Sequence, residues 1–188
     1  MNKIKRNILV VAAHPDDEVL GCGGTILRHV DAGDDVKIMV IADGVTSRHQ
    51  RPADNRKDGL IANNADIDMR RQRFFNAAEI LGVKRDNCCL LNFPDQRLDS
   101  MPLLEIIKSI EEMTSNNLPD IIYTHHFGDL NKDHRIVYEA VMTAFRPGRK
   151  GAEVTTILGF EIPGNMDILL PSESYVFKPN HFTDISDF

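Results

Sequence analysis

Short apolar runs alternate with stretches of helical spacing along almost the whole chain, and this alternation constrains the fold more than any other feature. Ile8 to Ala13, Val36 to Ala42, Cys88 to Leu91, Ile121 to Tyr123 and Val154 to Phe160 read as strands. They are nearly continuous in hydrophobicity rather than alternating, which suits strands covered on both faces of a parallel sheet. Between them, Val19, Leu20, Gly23, Ile26, Leu27 and Val30 follow helical spacing, as do Phe74, Ala78 and Leu81, then Leu103, Ile107 and Ile110. A fourth helix carries Ile136, Val137, Ala140, Val141 and Ala144. The order βαβαβαβαβ predicts an α/β fold, doubly wound, with a mainly parallel sheet of five or six strands and helices on both faces.

With 188 residues, one domain spanning 1–188 is expected, and a chain of this size buries roughly 70% of its unfolded surface without disulfide or metal staples. Residues 45–69 are polar and rich in cations, including Arg48, Arg51, Arg56 and Lys57; a connection of that length reads as a mobile loop over a site. Residues 146–153 read as a second exposed turn. Near the end, Ser186 or Asp187 would suit a helix cap with no helix after it, so the domain is expected to be truncated at its C-terminus. The longest apolar run, Ile8 to Ala13, is far short of the roughly 18 residues of a membrane span. No signal-peptide pattern follows the basic N-terminus. Three cysteines, two of them adjacent, suit a reducing cytoplasm better than a disulfide framework. A net charge of -6 without a basic stripe argues against nucleic acid as a partner.

Open α/β sheets bind ligands at the carboxyl ends of their strands, near the point where strand order reverses. The first strand is followed by His14-Pro15-Asp16-Asp17-Glu18, and the fourth by His125-His126-Phe127-Gly128-Asp129-Leu130-Asn131-Lys132-Asp133-His134. Usual winding makes these strands neighbours, so both segments face one crevice. His14, Asp17 and His134 then offer two imidazoles and a carboxylate, the donor set of a catalytic zinc with an open position. Asp16 lies between the first two and is expected to point elsewhere, as a general base for water. The bland alternative is that Asp16, Asp17 and Glu18 only cap a helix and answer its dipole; it leaves the histidines at two strand ends unexplained. Gly21-Cys22-Gly23-Gly24 lacks the third glycine of a dinucleotide fingerprint, since position 26 is Ile. Close helix packing is the expected reason for these glycines. His29 is expected on a helix surface, and Cys88 and Cys89 as buried strand residues rather than nucleophiles.

Ala13-His14-Pro15-Asp16-Asp17-Glu18, with Gly23-Gly24-Thr25, resembles the signature of the LmbE-like or PIG-L family of zinc-dependent N-deacetylases. The likeness continues through Arg70 to Gly82, Phe93-Pro94-Asp95 and Tyr123 to His134. It implies a Rossmann-like fold and removal of an acetyl group from an N-acetylglucosamine-type sugar or glycoconjugate. It also implies His14, Asp17 and His134 as metal ligands and Asp16 as the base. The metal would be zinc, with ferrous iron as the alternative. Arg70, Asp95 and Asp129 would hold the substrate. Many family members have a histidine where this chain has Asn131, which places Asn131, with His126 or His125 as a second polar group, beside a developing oxyanion. Arg73 stands where the family usually has glutamate, and the family commonly continues past the position of Phe188. The rival readings are another metal-dependent hydrolase, such as a phosphoesterase, a sugar-binding module with weakened catalysis, and a nucleotide-binding module. The oligomeric state is open, a homo-oligomer included.

Overall fold

In a computed structural model, which describes residues 5–48, 64–148, 156–165 and 175–188, five strands form one wholly parallel sheet in the order β3-β2-β1-β4-β5. The chain runs β1 (Asn7–Ala12), α1 (Asp17–Asp31), β2 (Asp35–Ala42), α2 (Asn64–Ile80), β3 (Cys88–Phe93), α3 (Leu103–Met113), β4 (Ile121–His125), α4 (Lys132–Ala144) and β5 (Thr156–Phe160). This is the doubly wound, Rossmann-like α/β arrangement.

The two faces follow from the strand period of two. Ile8 and Val10 of β1 and Ile38 and Val40 of β2 pack with Ile26 of α1 and Phe74 and Ala78 of α2. The alternate residues Leu9, Val11, Met39 and Ile41 pack with Ile106 and Ile110 of α3 and Val137, Ala140 and Val141 of α4. Helices α1 and α2 therefore cover one face, and α3 and α4 the other. The chain winds outward from β1 to β3, then returns across α3 to β4, which pairs with β1 from Ile8↔Ile121 to Val10↔Tyr123. The reversal of strand order falls between β1 and β4, so the segments after both strands open into the same crevice.

Two sequence expectations change. The stretch 45–69 divides: Val45 is buried, Thr46–Arg48 form a short 3-10 turn, 49–63 lie outside the described residues, and 64–69 are already the first turns of α2. The first turns of α2 carry no continuous apolar stripe, which is why hydrophobic period revealed only its second half. His29 is buried rather than on the surface: its Nδ1 lies 2.7 Å from Asp34 Oδ2 and its Nε2 2.9 Å from Tyr123 Oη, tying α1 to β4. Most of the turn expected at 146–153 lies outside the described residues.

Gly21 and Gly24 of α1 serve close packing. A Cβ at Gly21 would overlap the buried Phe160 ring of β5. Gly21→Ala is expected to lower stability by about 1–3 kcal/mol, the usual cost of overpacking, read as a fall in the thermal unfolding midpoint.

Candidate metal centre

Three donor atoms from the two strand ends form a nearly equilateral triangle. His14 Nδ1 lies 3.2 Å from Asp17 Oδ2, His134 Nε2 lies 3.3 Å from His14 Nδ1, and His134 Nε2 lies 3.3 Å from Asp17 Oδ2. Bonds of about 2.0–2.1 Å to a tetrahedral zinc separate neighbouring ligands by about 3.3–3.4 Å. The triangle therefore has the edge length that such an ion requires. All three residues are buried.

The remaining ring nitrogens face carboxylates. His14 Nε2 lies 3.0 Å from Asp95 Oδ1 and 3.2 Å from Asp133 Oδ2. His134 Nδ1 lies 2.9 Å from Asp129 Oδ2. A histidine that ligates through one nitrogen and gives its other N–H to a carboxylate has its tautomer and ring orientation set. The carboxylates are themselves held: Asp133 accepts the Gln96 and Leu98 backbone N–H groups, Asp95 accepts from Ser47 Oγ, and Asp129 accepts from the Asn131 backbone and Asn165 Nδ2.

Two overlapping donor groups, His125–Asp129–His134 and His14–Asp95–Asp133, fit an ion less well. His125 Nε2 accepts the Ala13 backbone N–H at 2.8 Å, so the neutral ring carries its proton on Nδ1 and has no free lone pair for a metal. Burial pushes its pKa down to about 3, which keeps it neutral. Asp95 and Asp133 face His14 on the side away from the triangle and already serve as its orienting acceptors.

The electrostatics favour a cation at the triangle. Burial alone would disfavour a charged His14, yet hydrogen bonds to the Asp133, Asp17 and Asp95 carboxylates outweigh it and raise its pKa to about 11. His134 is also raised, where burial is again overcome, by Asp129 and Asp17. Asp17 is held well below the carboxylate range: burial opposes this, but His134 and His14 prevail. A site with this excess of negative charge suits a divalent ion.

Asp16 lies at the N-cap position of α1, with φ 118° and ψ −25°. Such a conformation costs a non-glycine residue about 1–3 kcal/mol and clusters at functional sites. Its side chain makes no cap hydrogen bond, so the purely structural explanation fails for this residue. Its Oδ2 accepts from Arg70 Nη2 at 2.7 Å, and Arg70 also donates to the Pro15 carbonyl. Half of the Asp16 side chain remains exposed.

The structure thus brings together His14, Asp17 and His134, and joins Arg70 to Asp16. It moves other expected residues into different positions. Asp95 and Asp129, expected to hold substrate, are buried, with their carboxylates against the His14 and His134 rings. Asn131 caps α4, its Oδ1 accepting the Asp133 backbone N–H at 2.9 Å, which starts the helix that carries His134. His126 turns toward the chain's end: its Nε2 contacts the Tyr175 carbonyl at 3.1 Å and its ring packs on Phe127 and Phe177. It belongs to none of the donor groups. Asp133 and Glu18 were missed as individual residues. Both sit in the first turn of a helix, where acidic residues are ordinarily explained by the helix dipole; only the Asp-His adjacency at 133–134 hinted otherwise.

Fold and site together define a class, a doubly wound α/β protein with a buried His/Asp cluster that could hold a metal ion at the β1/β4 switch point. The sequence profile of PIG-L, described as GlcNAc-PI de-N-acetylase, matches residues 9–145, and the chain belongs to that family. It is 30% identical over 184 residues to the uncharacterized deacetylase YaiS of Escherichia coli K12, covering 95% of this chain and 86% of that one. It is 25% identical over 195 residues to the 4-oxalmesaconate hydratase of Pseudomonas putida, covering 99% and 70%. Among solved structures, the N,N'-diacetylchitobiose deacetylase of Pyrococcus horikoshii in complex with its inhibitor superposes with a TM-score of 0.60 at 26% identity. That alignment covers 74% of this chain and 49% of that one, so the chain spans about half the length of that relative.

Proposed function

We propose that the protein is a metal-dependent N-deacetylase that hydrolyses the acetamide of an N-acetylglucosamine-type sugar or glycoconjugate, with zinc as its metal and ferrous iron as the alternative. The observation that carries the reading is the donor triangle of His14 Nδ1, Asp17 Oδ2 and His134 Nε2, whose edges suit a tetrahedral ion. The family and the diacetylchitobiose deacetylase supply the substrate class.

His14, Asp17 and His134 would hold a divalent ion, which would supply Lewis acidity for acidifying a water toward a pKa of about 7 and polarising an acyl oxygen. The chain's own residues do the rest. Asp95, Asp133 and Asp129 fix the two imidazoles in the tautomers that ligation needs. Asp16 accepts the proton of the attacking water, and later returns it to the nitrogen as the C–N bond breaks, leaving acetate and the free amine. Arg70 holds the Asp16 carboxylate in place.

Zinc-loaded protein incubated with N-acetylglucosamine, N,N'-diacetylchitobiose and lipid-linked or nucleotide-linked N-acetyl sugars is expected to release acetate from at least one. A chelator should abolish the release and added zinc restore it. Reconstitution with ferrous iron under anaerobic conditions compares the two metals. A second reading has one specific observation behind it, the likeness to a hydratase over 99% of the chain: the same centre would add water to a carbon–carbon double bond. Consumption of 4-oxalmesaconate without acetate release from any N-acetyl sugar would favour that reading over deacetylation.

A further inference from the structure

Asp16 is held in a backbone conformation that its own side chain does not stabilise. An aspartate immediately before a helix ordinarily turns its carboxylate onto the first free amides. Here that bond is missing, φ is 118°, and the carboxylate projects to Arg70 instead. A contact from the opposite direction takes its place: the Asp16 backbone N–H donates to Glu18 Oε2 at 3.0 Å. Glu18 is fully buried. The bond it accepts comes from the Asp16 backbone amide, and its second oxygen, Oε1, is buried with no hydrogen-bond partner among the described residues.

A buried carboxylate with one oxygen unsatisfied costs stability. Folding alone is a poor reason to place one here, next to the residue whose geometry matters most. We propose that Glu18 is a positioning residue for Asp16: by fixing the Asp16 amide it keeps the backbone left-handed and the carboxylate turned outward to the site. With the amide tied down, rotation of Asp16 to an extended φ would break the Glu18 bond and strand a donor. With the amide released, the same rotation relieves the strained dihedral and lets the carboxylate cap α1. The arginine tether alone would then oppose a relaxation that draws the base into its own helix. The inference rests on the reading of Asp16 as the base, but its geometric half can be tested separately.

Three variants test it, with N,N'-diacetylchitobiose as the kinetic probe and a crystal structure as the geometric one. In Glu18→Ala, Asp16 is expected to take a negative φ with its carboxylate on an α1 amide, while Glu18→Gln, which retains an oxygen acceptor, keeps the left-handed form. Turnover of Glu18→Ala should fall about 10- to 100-fold, the scale of a misplaced catalytic group, with KM changed by no more than about twofold, since substrate binding is untouched. Metal content should be unchanged, and the unfolding midpoint unchanged or raised, which loss of a merely structural residue would not give. Adding Glu18→Ala to Asp16→Asn should cause no further loss, because both act through one carboxylate. A positive φ at Asp16 in Glu18→Ala, or an undiminished turnover, overturns the proposal. So does an equal loss in the Asp16→Asn background. If Asp16→Asn itself keeps full turnover, the base assignment fails, and the crystal structure alone decides the clamp.

Discussion

Asp16→Asn is expected to lower turnover by about 10²–10⁴-fold, the range that a positioned general base contributes, with the bound metal left in place. The separation follows from geometry. Asp16 contributes no atom to the triangle of His14 Nδ1, Asp17 Oδ2 and His134 Nε2, and its carboxylate is bonded to Arg70 on the exposed side. Asparagine is nearly isosteric and retains an oxygen that Arg70 can meet, so the loop before α1 has little reason to move. What disappears is the ability to take a proton. The loss should therefore fall on kcat, with KM nearly constant. Metal analysis alongside acetate release makes the measurement decisive: full metal occupancy with full turnover removes Asp16 from the chemistry. Loss of metal in step with activity would instead make it a structural support of the centre.

The general position of this site was legible in the sequence because topology is. Short apolar strands, read as a doubly wound sheet, put the ends of β1 and β4 side by side, and His14, Asp17 and His134 fall at those ends. The direction of each carboxylate was not legible. Asp95 and Asp129 were recognisable as acids near the site, yet a strand-end aspartate can face the crevice or the back of an imidazole with no change in spacing. Backbone amides decide it: Asn131 N–H holds Asp129, and the Thr46 side chain holds the Asp95 backbone N–H at 2.8 Å. These contacts join segments 49 residues apart in the second case, a separation that no local pattern encodes. Similarly, hydrophobic period revealed only the end of α2 that touches the sheet, through Phe74 and Ala78. The turns of α2 that lead into Arg70, residues 64–69, carry little period, so spacing alone assigns them to the preceding loop.

His134→Ala is the second large effect, and it should act through the metal. Each side of the donor triangle that includes His134 disappears, leaving one imidazole and one carboxylate, which is one short of the three protein ligands of catalytic zinc sites. Removing a carboxylate behind a ligating histidine typically costs 10- to 100-fold in metal affinity. Removal of the ligand itself should exceed about 100-fold, and Asp129→Asn should fall between His134→Ala and the parent protein. That ordering is the informative part. Asp129 is fully buried and lies 2.9 Å from His134 Nδ1, so its effect must pass through the imidazole. In a His134→Ala background, Asp129→Asn should then lose most of its effect on metal binding, as coupled neighbours do. It should also relieve some of the folding cost of a buried carboxylate whose partner has gone. Metal stoichiometry after dialysis against a competing chelator, with circular dichroism to confirm the fold, reads both quantities. Stoichiometric metal in folded His134→Ala would move the centre away from the triangle, toward the His14–Asp95–Asp133 group that does not need His134.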